Sequence, residues 1–328
     1  MPISINLLFL LATTSYHLIA TWTENRRHQP PGQLIDIKGY KLHLYSLGHG
    51  SITVVLDHSL GGIEGYFLVE EIAKTTRVCI YDRAGYGWSD SSPHPRTSKQ
   101  IVKELDILLE KAGIEPPYIL VGDSFGSYNV RLYAHQFPEK VAGLVLTDGL
   151  HEEAMLKMSL SLWALKLFFM SGFAMSQLGS VLGIVRLLGT VGMFELLKKE
   201  LRNFPAETLQ RVKRSFYNHQ HWITMWREMW NLDVSGQQVR QASNLGNIPM
   251  ISVKANTFFK PSVLNFYMPV KAANNLRDKM HTELLKLSTD CTQLQATQSG
   301  HFVWVDEPEV IVAAIQQVLQ RLRDRTNS

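Results

Sequence analysis

The sequence predicts an α/β fold: a mostly parallel central sheet with helices on both faces and a helical cap inserted after the sixth strand. Three observations carry that prediction. Short β-branched and aliphatic runs alternate with helical periodicity between Ile52 and Leu146, the pattern of parallel strands joined by crossover helices. The alternation stops from His151 to about Leu245, where helical patterns dominate, and resumes at Ile248. Between these landmarks the run Tyr118-Ile119-Leu120-Val121 leads into Gly122-Asp123-Ser124-Phe125-Gly126, and helical spacing begins at Tyr128, Val130 and Leu132.

The 328 residues suit one such domain with an insertion. Hydrophobic residues make up 45% and charged residues 19%, which supplies a sizeable core and argues against general disorder. The formal charge of +4 comes from scattered Lys and Arg with no basic block interleaved with aromatics, so nucleic acid is not an expected partner. Cys79 and Cys291 lack metal-ligand or C-x-x-C spacing and are expected to be buried thiols.

From Ile3 to Trp22 there is no Asp, Glu, Lys or Arg; Glu24, Arg26 and Arg27 follow. The stretch is long enough for a hydrocarbon core of about 30 Å and exceeds the usual apolar region of a signal peptide. No basic residue precedes it and no clear small-residue cleavage site follows. Residues 1–32 are therefore expected to be an uncleaved hydrophobic anchor and linker, with a cleaved signal peptide of a secreted protein and a buried helix as alternatives. Arg26, Arg27 and Lys38 would hold the next domain on the cytoplasmic side, and a membrane lipid surface is an expected partner.

Pro30-Pro31-Gly32 opens the core, whose two parts are expected at residues 33–150 and 246–328 around a cap at 151–245. Gln33 to Leu47 alternates apolar and polar residues around Gly39-Tyr40 and reads as a hairpin. Strands follow at Ile52 to Leu56 and Arg77 to Tyr81, a helix at Ile101 to Leu109, the central strand before Ser124, and a strand at Val141 to Leu146 that ends in Thr147-Asp148-Gly149. Asp82 and Arg83 are expected to form a buried charge pair that fixes their loop. Leu167 to Val185 carries no charge, yet a single crossing there would put strands of one sheet on opposite sides of a bilayer, and glycines break the run. A cap with an apolar face is the better reading. His219 to Trp230, rich in aromatics, reads as packing. Ile248 to Val253 resumes the sheet, Asn275 to Ser288 reads as a helix, Thr292 to Thr297 as the last strand, and Asp306 to Leu322 as a closing helix started by Pro308.

Gly122-x-Ser124-x-Gly126 between a strand and a helix is a nucleophile elbow: the tight turn presents the Ser124 hydroxyl, and flanking glycines let strand and helix approach. A nucleophilic serine needs a base, and His301 in Ser299-Gly300-His301, on the loop after the final strand, is the candidate. A tetrahedral intermediate needs N–H groups aimed at its developing charge; the amides of Leu60, in the loop after the Ile52 strand, and Phe125 are the candidate pair.

The elbow, Tyr81-Asp82-Arg83-Ala84-Gly85-Tyr86-Gly87-Trp88-Ser89, Ser299-Gly300-His301 and the strand order resemble the α/β-hydrolase superfamily of serine hydrolases. The likeness runs from residue 33 to 322 apart from the cap, and is similar to a bacterial branch of esterase-like and proline-iminopeptidase-like members. Three departures stand out: Asp123 where many relatives have His, Ser59 in place of the usual Gly after His58, and no carboxylate in Lys254-Ala255-Asn256-Thr257, the customary place of the triad acid. Asp148, closing the strand beside the elbow strand, is the candidate acid, since neighbouring strands lie about 4.8 Å apart and the order Ser, Asp, His is kept. The resemblance implies acyl transfer through Ser124 with no metal or other cofactor. A small hydrophobic ester is the expected substrate, because the cap is apolar. A proline-iminopeptidase-like peptidase and a non-catalytic protein of the same fold are the alternatives.

Overall fold

The computed structural model describes residues 5–27, 29–260 and 269–327, so the apolar stretch read from Ile3 is seen from Ile5, and Ile3 and Ser4 lie outside the described residues. Eight strands form one sheet: β1 (Gln33–Asp36), β2 (Lys41–Leu47), β3 (Thr53–Asp57), β4 (Arg77–Asp82), β5 (Tyr118–Asp123), β6 (Val141–Thr147), β7 (Met250–Ala255) and β8 (Cys291–Ala296). Their order is β1-β2-β4-β3-β5-β6-β7-β8. The β1–β2 hairpin and the β2–β4 pair are antiparallel, and the remaining five pairs are parallel.

Helices are α1 (Ile5–Arg27), α2 (Val69–Ala73), α3 (Ser98–Lys111), α4 (Gly126–Gln136), α5 (Glu152–Met155), α6 (Leu160–Val181), α7 (Ile184–Thr190), α8 (Met193–Leu197), α9 (Ala206–Tyr217), α10 (His219–Trp230), α11 (Leu232–Val239), α12 (Val270–Leu284), α13 (Val303–Asp306) and α14 (Pro308–Asn327). Every residue of β3 and β5 is buried, as a sheet covered on both sides requires. Side chains alternate between the faces. Val55 and Leu120 join Leu105 of α3, Tyr128 of α4 and Leu284 of α12, whereas Val54, Leu56, Ile119 and Val121 join Ile72 of α2 and Ile311, Ile315 and Val318 of α14. Deleting one such side chain, as in Leu120→Ala, costs roughly 2–5 kcal/mol.

Two helices differ from their sequence reading. The helix expected at 275–288 is Val270–Leu284; beyond it the Ser288 hydroxyl donates to Ile248 O (2.6 Å) and ties the chain back to the strand entrance. The closing helix begins at Pro308 because Glu307, at φ −144° and ψ 63°, separates it from α13, which ends at Asp306. Cys79 is buried, but Cys291 is only half-buried, because β8 is the sheet's edge strand.

Helices α5 to α11 fill the segment between β6 and β7. A buried ion pair anchors its entrance, with Arg131 of α4 donating to both oxygens of Glu152 (2.9 and 3.2 Å). The uncharged Leu167 to Val185 run is divided at Gly183, whose φ of 76° lets α6 turn by 85° into α7. Helix α1 is 23 residues long, mostly exposed, and apolar enough to cross a membrane.

Candidate active site

Ser124 sits between β5 and α4 at φ 47°, a conformation that costs a non-glycine residue about 1–3 kcal/mol and that its neighbours must enforce. Its N–H donates to Thr147 O (2.9 Å), and its carbonyl accepts from the Ser127 N–H (3.0 Å) and hydroxyl (2.6 Å). The flanking glycines are required by contact: a Cβ on Gly126 would lie 2.3 Å from Asp57 O, and one on Gly122 would lie 2.6 Å from Val130 Cγ2. The hydroxyl is thus held at the carboxyl edge of the sheet.

His301, on the loop after β8, places Nε2 2.9 Å from Ser124 Oγ and Nδ1 2.6 Å from Asp148 Oδ2. The ring stacks on Phe258 at 4.5 Å, and its backbone N–H donates to Phe258 O (3.2 Å). A carboxylate facing Nδ1 fixes the proton there and leaves Nε2 to accept from the serine hydroxyl. Asp148 follows β6 at φ 39°, with its N–H donating to Val253 O (2.8 Å). Its second oxygen, Oδ1, accepts from the Ala255 N–H (3.2 Å) and lies 3.1 Å from His281 Nε2. Burial alone would raise the Asp148 pKa; the hydrogen bonds from His281 and His301 outweigh it and hold the carboxyl well below the usual range.

The structure therefore brings Ser124, His301 and Asp148 into one chain of hydrogen bonds, with the carboxylate on the β6 end. Asp278 and Glu283 lie apart, paired with Lys254 (2.8 Å) and Lys286 (2.7 Å). Asp123 accepts from Thr147 Oγ1 (2.8 Å); burial and the nearby Glu64 carboxylate push its pKa well up. His281 was missed in the sequence. Its Nδ1 lies 3.0 Å from Ser252 Oγ, which orients Nε2 toward Asp148. The available signal was the Arg277, His281 pair at i, i+4 on the face of α12 that also buries Ala273, Met280 and Leu284, since buried polar groups on a core face have partners.

Leu60 and Phe125 both border the space beside Ser124 and His301, and among the described residues neither amide N–H donates to a protein acceptor. The Leu60 loop is held from below, and here the expected Asp82–Arg83 pair is corrected. Arg83, 1% exposed, donates to Asp57 Oδ1 (2.6 Å), to both oxygens of Glu228 on α10 (3.0 and 2.9 Å), and to the carbonyls of His58 (2.7 Å) and Ser59 (2.8 Å). Asp82 instead meets His43 Nδ1 (3.0 Å) and accepts from the Trp88 N–H (3.0 Å). Consecutive side chains on an extended strand end point to opposite sides, so each finds its own partner. His58 is buried and neutral, its pKa lowered to about 3 by burial and the Arg83 charge.

Above the hydroxyl lies a cavity of about 440 Å³. Met155, Leu162, Phe169 and Met229 of the insertion and Phe258, Leu276 and Met280 of the core line it. Among the described residues Lys166 is the one Lys, Arg, Asp or Glu on its wall, and it pairs with Asp233 (3.0 Å).

The model of the alpha/beta hydrolase fold matches residues 52–267. Among proteins of known sequence the chain is similar to YbdG of Bacillus subtilis, 28% identical over 153 residues that cover 44% of this chain and 47% of that one, so it spans about half the length of that relative. It is also similar to YqjL of Bacillus subtilis, 23% identical over 273 residues that cover 83% of this chain and 85% of that one. The solved structure of Cfl2 from Burkholderia cenocepacia superposes with a TM-score of 0.63 at 18% identity, over 87% of this chain and 94% of Cfl2. With a mostly parallel eight-stranded sheet, a serine on the turn after β5 and a family match spanning residues 52–267, the chain belongs to the alpha/beta hydrolase fold family.

Proposed function

We propose that the protein is a serine hydrolase that cleaves a small hydrophobic carboxylic ester. The observation that carries this reading is the relay from Ser124 Oγ through His301 (2.9 Å) to Asp148 (2.6 Å), set at the floor of an apolar cavity. Ser124 Oγ attacks the ester carbonyl as His301 Nε2 takes its proton; the oxyanion accepts from the Leu60 and Phe125 amides, each worth roughly 2.7–4 kcal/mol in the transition state. Collapse expels the alcohol, protonated by His301, and water activated by the same imidazole hydrolyses the acyl-enzyme. Asp148 keeps the imidazole in the required tautomer and stabilises its charged form.

The peptidase reading is disfavoured by the cavity wall, where the described residues offer no Asp or Glu to hold a substrate's amino group. A non-catalytic reading is disfavoured by the completeness of the relay. Attachment to a membrane through α1, with the catalytic domain on the cytoplasmic side, is part of the same proposal. It is supported by the length and exposure of α1 and by Arg26 and Arg27 in its last turn. The test compares p-nitrophenyl esters of increasing acyl length with proline p-nitroanilide. Ester turnover that rises with acyl length is expected, and preferential cleavage of the anilide would overturn the substrate assignment.

A further inference from the structure

Helix α1 does not stand clear of the rest of the chain. From Thr13 onward one of its faces lies against α7. Thr14 Oγ1 donates to Leu182 O (3.3 Å), and Tyr16 and Thr190 hydroxyls meet at 3.4 Å. Arg186 of α7, 4% exposed, donates to His17 Nδ1 (3.2 Å), Thr21 Oγ1 (2.9 Å) and both oxygens of Glu24 (2.6 and 3.0 Å). The backbones touch at Gly183, where a Cβ would fall 2.2 Å from Thr13 O. Ahead of this contact, Ile5, Leu7, Leu8, Phe9 and Leu11 are exposed. At 1.5 Å per residue the segment from Ile5 to Ala12 reaches about 12 Å past the docked face, close to the depth of one leaflet's hydrocarbon, about 15 Å.

Beside the docked part lies a second cavity, of about 600 Å³, lined by α1, α7, α9 and the loop of Gly87 and Trp88. Among the described residues that line it, Arg186, Arg211 and Arg214 stand against one carboxylate, Glu24. Arg186 takes both oxygens of that carboxylate, leaving Arg214 a 3.7 Å approach to it and a 3.3 Å bond to Asn25 Oδ1. Arg211 pairs with Glu207 one turn away, 81% exposed, and such a solvated pair contributes little. Two guanidinium groups are thus weakly compensated within one concavity, and its lip is apolar, formed by Leu18 and Trp22, which are exposed.

We propose that this cavity binds the phosphate headgroup of an anionic membrane lipid, with the acyl chains lying along Leu18, Trp22 and the exposed tip of α1, so that the protein is seated on one leaflet. Paired guanidinium forks match a phosphodiester's oxygens, and cations next to a bilayer surface attract anionic lipid. The proposal rests on the membrane attachment of α1 and not on the ester hydrolysis at Ser124.

The test titrates the full chain, in neutral detergent micelles, with dihexanoyl phosphatidylglycerol, dihexanoyl phosphatidylcholine and inorganic phosphate, followed by calorimetry. Saturable binding of the phosphatidylglycerol is expected, at least about tenfold tighter than the other two, with an about tenfold or greater loss in Arg211→Gln/Arg214→Gln. Arg211→Gln alone, at a side chain 25% exposed, should show a loss of about threefold or more. Lys99→Gln/Lys103→Gln, on the exposed face of α3, should bind as the native chain does. Rates of labelling at Ser124 should be equal in all variants, separating this site from the catalytic one. Equal binding of phosphatidylcholine, inorganic phosphate binding as tight as the lipid, undiminished binding by the arginine variants, or an equal loss in the lysine control would each overturn the proposal.

Discussion

The carboxyl edge of the sheet and the helical insertion above it are ordered in different ways. At the edge, each polar group has a partner fixed by a strand end or the loop just beyond it: Ser124 by β5 and Thr147, Asp148 by Val253 O and Ala255 N, His301 by Phe258 O after β7. Across the cavity, Leu162, Phe169 and Met229 present apolar volume and no hydrogen bonds. Position is conserved energy at the first surface, since an atom moved by 1 Å loses its bond. Volume matters at the second, where Met and Leu exchange at less than about 1.5 kcal/mol. Substitutions at the edge should therefore change rate steeply, whereas substitutions above it should change substrate preference.

The largest effect is expected from Ser124→Ala and His301→Ala, each lowering turnover by on the order of 10⁶ with no change in the melting curve, because neither residue acts without the other. Ester kinetics on folded protein check it; retained turnover would dissolve the contrast. Asp148→Asn comes next, with a loss on the order of 10⁴, since an amide no longer holds the Nδ1 proton in place. Arg83→Met probes the support beneath the Leu60 loop rather than the chemistry. Removing the guanidinium strands Asp57 and Glu228 in the interior and should destabilise the fold by about 3–5 kcal/mol, read from the denaturant midpoint. His281→Gln should lower turnover by about ten- to a hundredfold, the worth of one charge-assisted hydrogen bond, with substrate KM unchanged.

Much of the edge was legible in the sequence because its signals are local. Gly122, Ser124 and Gly126 are fixed by spacing within one turn, and His301 follows a strand whose end is marked by Ser299-Gly300. Asp148 could be named because it ends a strand next to the elbow strand. What was not legible is pairing across distance. Arg83 and Glu228 are 145 positions apart, Arg186 and Glu24 are 162 apart, and no periodicity announces either partnership. Adjacent Asp82 was the wrong partner for Arg83 for the same reason: sequence neighbours on an extended segment face opposite ways. His281 was hidden inside a helix that reads as amphipathic, where a histidine on the inward face looks like any other half-polar residue.

The smallest effect is a pH dependence of stability. Burial, with the Arg83 charge acting in the same direction, lowers the pKa of His58 and of His221 to about 3. In the unfolded chain both titrate near 6.5, so between about pH 6.5 and 3 the unfolded state binds protons that the folded state does not, and stability falls as pH falls. The melting temperature should drop by several degrees from about pH 7 to about pH 5, and His221→Leu should flatten that slope. An unchanged slope in this variant would place the acid sensitivity elsewhere, outside the junction of core and insertion.

The role of Ser124 as nucleophile is tested most directly by covalent labelling with a fluorophosphonate followed by intact mass and peptide mapping. One adduct per chain is expected, on Ser124, absent in Ser124→Ala and strongly slowed in His301→Ala. A folded native chain that takes up no label, or an adduct mapped to another residue, would contradict it.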